Sequence, residues 1–168
     1  MNDNDNQPDE AVRGAMNATY LLLPEAAATV CATSKKAILE QLAERFAGVY
    51  GLDRDLVAAR LAEREALGST GFGRGVAIPH ARVPELHRSV AVFLRLEAPV
   101  EFASVDRIPV DLVFGLLSPE GSGSAHLHAL AAISRLMRDE RMRAMLAQTQ
   151  GAEALYGLLS NVIGREAA

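Results

Sequence analysis

Residues 75–117 read GVAIPHARVPELHRSVAVFLRLEAPVEFASVDRIPVDLVFGLL. Three pieces of it, GVAIPH, SVAVFLRLE and PVDLVFGLL, are dense in Val, Ile and Phe and short enough to be strands. A shorter extended piece, PVEF, lies between the second and the third. PVDLVFGLL is almost continuously apolar, as a strand is when both of its faces are covered. In α/β folds that cover comes from helices, and the flanks of this stretch supply them. Upstream, Ile38, Leu42 and Phe46 in KKAILEQLAERF fall at four-residue intervals and make one apolar stripe, with Ser34 placed to cap its start. Gly48 and Gly51 punctuate the end of that helix. Asp53 then caps a second one, RDLVAARLAEREAL, running to about residue 67. Downstream of a PEGSGS loop come three helical stretches, over about 124–138, 139–148 and 151–162.

Helices on both sides of one strand cluster predict an α/β fold, a single-domain sandwich layered around a central sheet. AAATVCA, before the first helix, adds a short buried strand. Residues 1–16, rich in Asn and Asp and without periodicity, are expected to be a disordered tail. One domain is expected over 17–163, and 164–168 as a flexible C-terminus. A length of 168 residues suits a single core.

Composition removes several function classes. The net charge of −4 argues against nucleic acid, because gripping a phosphate backbone takes a basic face. No apolar run approaches the ~20 residues of a membrane span. The opening MNDNDNQPDE is acidic where a signal peptide would be basic and then apolar, so a cytoplasmic location and no membrane insertion are expected. One cysteine, Cys31, permits no internal disulfide; its small apolar neighbours predict a buried, inert thiol.

Just before the first strand, residues 68–82 read GSTGFGRGVAIPHAR, with Gly68, Gly71, Gly73 and Gly75 ahead of Ile-Pro-His. This is no nucleotide phosphate loop. Gly68 and Gly73 have the right separation, but Arg74 and Gly75 stand where Lys and Ser or Thr are required. Nor is it a dinucleotide fingerprint, since the spacing is wrong and the stretch follows a helix and leads into a strand. Two readings stay open. The glycines make either a plain tight connection or a turn whose N–H groups face an anion.

Of the four histidines, His80 follows Pro79, which keeps Ile78 extended and delivers the imidazole at the end of the strand-like run. A strand-end histidine is as readily structural as functional. His126 and His128 point about 200° apart on a helix, so both cannot serve one site. His126 leads Leu130, Ile133 and Met137 on the inward stripe, in the first turn of a helix capped by Ser122 or Ser124. His128, with Ala132 and Arg135, faces solvent, and so does His87. Two inward histidines and a remote cysteine do not make a metal site, so no metal and no cofactor are expected. A serine hydrolase elbow is absent. What remains is a nucleophilic imidazole, a second imidazole and an arginine, Arg64, on the helix before the glycine turn. A guanidinium about 4 Å from a phosphoryl group contributes roughly 4 kcal/mol per unit charge at an effective dielectric near 20, before desolvation. That combination can hold a phosphoryl group without magnesium when the donor is another phosphohistidine.

REALGSTGFGRGVAIPHAR, followed by VFLRLEAPVEFASVDRIPVDLVFGLLSPEGSGSAHLHAL, resembles the enzyme IIA domain of the fructose/mannitol class of the phosphoenolpyruvate phosphotransferase system, and within it the nitrogen-regulatory branch. The resemblance runs over about residues 20–160. It implies an α/β sandwich with a mixed sheet and a phosphotransferase role as a phosphohistidine carrier. His80 would be phosphorylated at Nε2 by an HPr-like donor of the nitrogen-regulatory (NPr) type. His126 would stabilise the phosphate and Arg64 neutralise its charge. Ser69, Thr70 and Gly71 would line the phosphate pocket, with Phe72 and Val76 as docking surface for the donor. Arg74 departs from the small polar residue usual in related sequences, and either adds charge near the site or points to solvent. The output would be regulation of partner proteins in nitrogen or potassium metabolism. The alternatives are a sugar-permease IIA component that passes phosphate to a IIB domain, and a purely regulatory binding module.

Overall fold

The computed structural model describes residues 19–166 of the chain, with side chains to residue 161. The tail expected over 1–16 lies outside the described residues. Strand β1 (Ala27–Val30) leads to helices α1 (Lys35–Tyr50) and α2 (Arg54–Ala66). Five strands follow: β2 (Gly71–Gly73), β3 (Val76–Ala77), β4 (His80–Val83), β5 (Val90–Val100) and β6 (Val110–Pro119). Helices α3 (Ser124–Arg138), α4 (Glu140–Gln148) and α5 (Ala152–Glu166) close the chain. The sheet is mixed, in the order β1-β5-β6-β3-β2, with β4 also on β6. The expected α/β architecture is what the chain adopts.

The helix starts follow local chemistry. Ser34 Oγ accepts the Ala37 N–H, and the Asp53 carboxylate accepts from Asp55 and Leu56, each pairing N–H groups that a first turn leaves orphaned. Asp139 does the same for α4. Helix α3 departs from expectation: its N-cap is Gly123, in a left-handed backbone and with no side-chain cap, in place of Ser122 or Ser124.

β6 is the central strand. It runs antiparallel to β5 on one edge, while β3 and β4 pair in parallel along the other. Leu112 through Leu117 are all buried, as the continuous apolar run required. α1 packs so close to this strand that a Cβ on Gly115 would stand 2.9 Å from Leu42 and 3.0 Å from Phe46.

The run GVAIPH is not one strand ending at His80. Val76 and Ala77 pair with Leu112 and Val113; pairing lapses at Ile78-Pro79 and resumes in the same register with His80 opposite Leu116. Pro79 has no N–H to give a ladder, but its carbonyl accepts the Leu116 N–H, so the two strands stay collinear. His80 therefore opens β4. PVEF, in turn, is partly absorbed into β5, which continues past a register shift to Val100.

The glycine stretch proves to be a hairpin. β2 and β3 are antiparallel, and the two residues between them, Arg74 (φ 56°) and Gly75 (φ 82°), both take positive φ, the tight-turn geometry that suits twisted strands. Gly71 answers to a different demand, since a Cβ there would lie 2.9 Å from the Ser104 backbone. Two further expectations fail. Cys31 is exposed, because it lies just past the end of β1. Ala132 is buried, its small side chain fitting inside the boundary of the core-facing stripe.

Candidate functional site

The segment Ile78-Pro79-His80 turns the His80 ring back on its own chain. His80 Nδ1 lies 2.8 Å from the Ile78 carbonyl oxygen, which can only accept, so Nδ1 carries the proton. Ile78 is itself held by its N–H to the Thr70 carbonyl, at 3.0 Å. The opposite nitrogen, Nε2, accepts from Arg64 Nε at 3.2 Å. Arg64 comes from the last turn of α2, and its Nη1 also donates to the Gly68 carbonyl. Both contacts select one tautomer, with an Nε2 lone pair aimed away from the backbone. Such a nitrogen is a nucleophile.

His126 arrives from the first turn of α3 with its ring centroid 5.6 Å from that of His80. It is buried, and its Nδ1 lies 2.7 Å from the hydroxyl of Ser118 on β6. Ser118 in turn lies 2.8 Å from the hydroxyl of Ser89. Burial, with help from the neighbouring Arg64 charge, holds His80 below the usual imidazole range, although its bond to the Ile78 carbonyl opposes the shift. His126 is pushed down to about 4, first by burial and then by His80 and Arg82. Both rings are neutral at pH 7.

The two imidazoles line an open cleft of about 760 Å³ between α2, β4 and α3. Its walls include Arg60, Arg64 and Arg82 against a single acid, Glu63. Arg60 is partly neutralised by Glu120, at 2.9 Å. Leu67 and Leu127 stand at the rim, 85% and 61% exposed. A chain with a net charge of −4 thus keeps a locally cationic, partly apolar hollow around two neutral rings. That environment favours a compact dianion over a cation.

His80, His126 and Arg64 therefore meet, as the sequence suggested. The hydroxyls of Ser69 and Thr70 do not join them. Ser69 Oγ donates to the Phe102 carbonyl and accepts the Gly71 N–H, while both donors of Thr70 go to the buried Glu65 carboxylate. Glu65 is also ion-paired with Lys35, at 2.6 Å. These residues fasten the glycine turn to α1 and α2, and none of the three expected phosphate contacts lines the cleft. Val76 is fully buried, and Phe72, partly buried beneath the Arg138 guanidinium, is not among the cleft walls. Arg74 is exposed and outside the cleft, its N–H on Asp106.

Arg60, Arg82, Ser118, Leu67 and Leu127 were not foreseen. Arg82 follows His80 by two residues on β4 and so lies on the same face of the strand, a period-two signal that was there to be read. Leu67 ends an amphipathic helix at a position the apolar stripe does not need. Ser118 had no local signal. Among the described residues, no three His, Cys, Asp or Glu side chains gather to hold a metal ion, and no helix is long and apolar enough to cross a membrane.

Comparison with known proteins identifies the family. A nitrogen regulatory protein of Bradyrhizobium diazoefficiens is 44% identical over 146 residues, 86% of this chain and 95% of that protein. The crystal structure of the nitrogen regulatory protein IIA-Ntr from Neisseria meningitidis superposes with a TM-score of 0.76 at 32% identity, covering 82% of this chain and 95% of that one. A fructose-specific EIIA component of Haloferax volcanii is 32% identical over 111 residues, 66% of this chain and 72% of its own. The family model described as "Phosphoenolpyruvate-dependent sugar phosphotransferase system, EIIA 2" matches residues 25–162, so the chain belongs to that family.

Proposed function

We propose that this protein is a phosphohistidine carrier whose phosphorylation state governs its binding to regulatory partners. His80 is the acceptor. Its Nε2 lone pair attacks the phosphorus of a phosphohistidine on an HPr-like donor of the NPr type. The new N–P bond forms as the donor's N–P bond breaks, and the electron pair leaves with the donor imidazole. Arg64, already at Nε2, shifts onto the equatorial oxygens, and His126 meets them from the other side. The observation that carries this reading is the fixed tautomer of His80, with Nδ1–H on Ile78 and Nε2 directed at Arg64 in an open cleft. The added charge of about −1.5 to −2 would cancel most of the positive charge of the hollow, which is enough to exchange one partner for another.

The test is incubation with phosphoenolpyruvate, enzyme I and an HPr-like protein, read as a mass gain that mild acid removes. His80→Ala should abolish the gain while the protein stays folded; an undiminished gain in that variant removes the assignment. The similarity to a fructose-specific EIIA component favours a second reading, transfer onward from His80 to a IIB domain of a sugar permease. Loss of label to an added IIB domain, at a rate matching donor-to-His80 transfer, would select it over the regulatory role.

A further inference from the structure

Counting protons along the buried chain Ser89–Ser118–His126 decides what His126 offers to the cleft. The two hydroxyl oxygens are 2.8 Å apart and Ser118 Oγ is 2.7 Å from His126 Nδ1. Ser118 is 0% exposed and Ser89 5%, so water is not at hand to take a stray proton. If Nδ1 donates to Ser118, one hydroxyl proton is stranded whether Ser118 donates to Ser89 or accepts from it as well. The neutral ring and two hydroxyls therefore reduce to two arrangements. In one, His126 donates from Nδ1 to Ser118 and Ser118 donates to Ser89. The Ser89 proton then has nowhere to go, because among the described residues its hydroxyl meets Ser118 alone. In the other, Ser89 donates to Ser118 and Ser118 donates to Nδ1. Every hydroxyl proton is then used, and what goes short is a lone pair on Ser89. A buried donor without an acceptor is the costlier defect, so the second arrangement prevails.

We propose that Ser118 is a positioning residue that donates to His126 Nδ1 and thereby holds this ring in the Nε2–H tautomer, so that an uncharged imidazole presents an N–H to a phosphoryl group on His80. This rests on the reading of His80 as acceptor. With Nδ1 spent in the core, Nε2 is the polar ring atom left to the cleft that His126 lines. The opposite tautomer would turn a lone pair on phosphoryl oxygens, which repels them. The depressed proton affinity of His126 fits the arrangement, since its hydrogen bond is then available without a positive charge that would bind phosphate too firmly to pass on.

The sheet register makes the pairing possible. Val90 stands opposite Leu117, which brings the preceding residue, Ser89, beside Ser118, while Ser118 itself lies opposite Arg82 on β4.

Two-bond proton–nitrogen NMR on the unphosphorylated protein with 15N-labelled histidine reads the tautomer directly. A bare Nδ1 and a protonated Nε2 at His126 are expected at neutral pH; a protonated Nδ1 overturns the proposal. Ser118→Ala should mix the two tautomers and lower kcat for phosphoryl acceptance in proportion to the rings that lose Nε2–H, about twofold at equal populations, with KM for the donor unchanged. Ser118→Thr, which keeps a hydroxyl, should restore both signals. Ser89→Ala should leave the tautomer in place, because Ser118 still has His126 to donate to; a switch to Nδ1–H there also refutes the count. A Ser118→Ala protein with His126 wholly Nε2–H and kcat intact does so as well. The spectrum needs no donor, so it stands apart from the His80→Ala labelling that tests the carrier itself.

Discussion

His126 binds its proton far more weakly in the fold than in an open chain, and that difference makes stability depend on pH. Its folded value is about 4 against 6.5 for a solvent-exposed imidazole. Above 6.5 neither state carries the proton and the fold is not penalised. As pH falls through 6.5 the unfolded chain protonates first, so stability drops until the folded value is reached and is level below it. The full effect is about 3 kcal/mol. His126→Gln lacks this liability, so between pH 7 and pH 4 its stability relative to wild type should rise by that amount, as measured by urea unfolding at both values. His80 is shifted the same way, so it remains a neutral nucleophile below the ordinary histidine range. Residue-scale chemistry was partly legible beforehand. The angle between His126 and His128 on a helix sent the first inward, and the fold agrees, with His126 buried and His128 exposed. The roles of Ser69 and Thr70 were not legible, since their partners Phe102 and Glu65 are set by packing and not by spacing.

Elements here are held at close quarters by missing side chains. Gly115 lets α1 settle on β6, with Leu42 and Phe46 filling the space a Cβ would take. Gly115→Val should overpack this contact and cost about 1–3 kcal/mol in chemical denaturation, and Leu42→Val in the same chain should recover part of it. A normal stability for the single variant would mean that α1 is not seated as described. The interruption at Ile78-Pro79 works at the same scale. It breaks a ladder that Val76 and Ala77 begin, frees the Ile78 carbonyl for His80 Nδ1, and keeps the register intact. Sequence showed that proline forces extension there, but whether His80 ends a strand or opens one depended on its partner Leu116, thirty-six positions away.

At the scale of the molecule, an acidic protein shows a basic hollow rimmed by exposed leucines. Leu67 closes α2 and Leu127 sits on α3, so the apolar rim bridges two elements that the sheet holds apart. A donor protein that brings a phosphohistidine to His80 must cover this rim. Leu67→Glu and Leu127→Glu should each raise KM for the HPr-like donor several-fold and leave the fold unchanged, since both side chains are exposed. An unaltered KM in the double variant would move the docking surface elsewhere.

The amino-acid pattern alone determined the layering. Period-four stripes made helices, dense β-branched runs made strands, and a doubly apolar run demanded cover on both faces, because each of these follows from neighbours a few residues away. It also marked His80, Arg64 and His126 as candidates for one site, and the fold brings the three side chains together. Tertiary structure decided the strand order, the hairpin made from the glycines, the clamp that claims Ser69 and Thr70, and the Ser89–Ser118 pair behind His126. Those depend on which groups from distant segments come within about 3 Å, and hydrogen bonds of that length are fixed only when the whole core is packed.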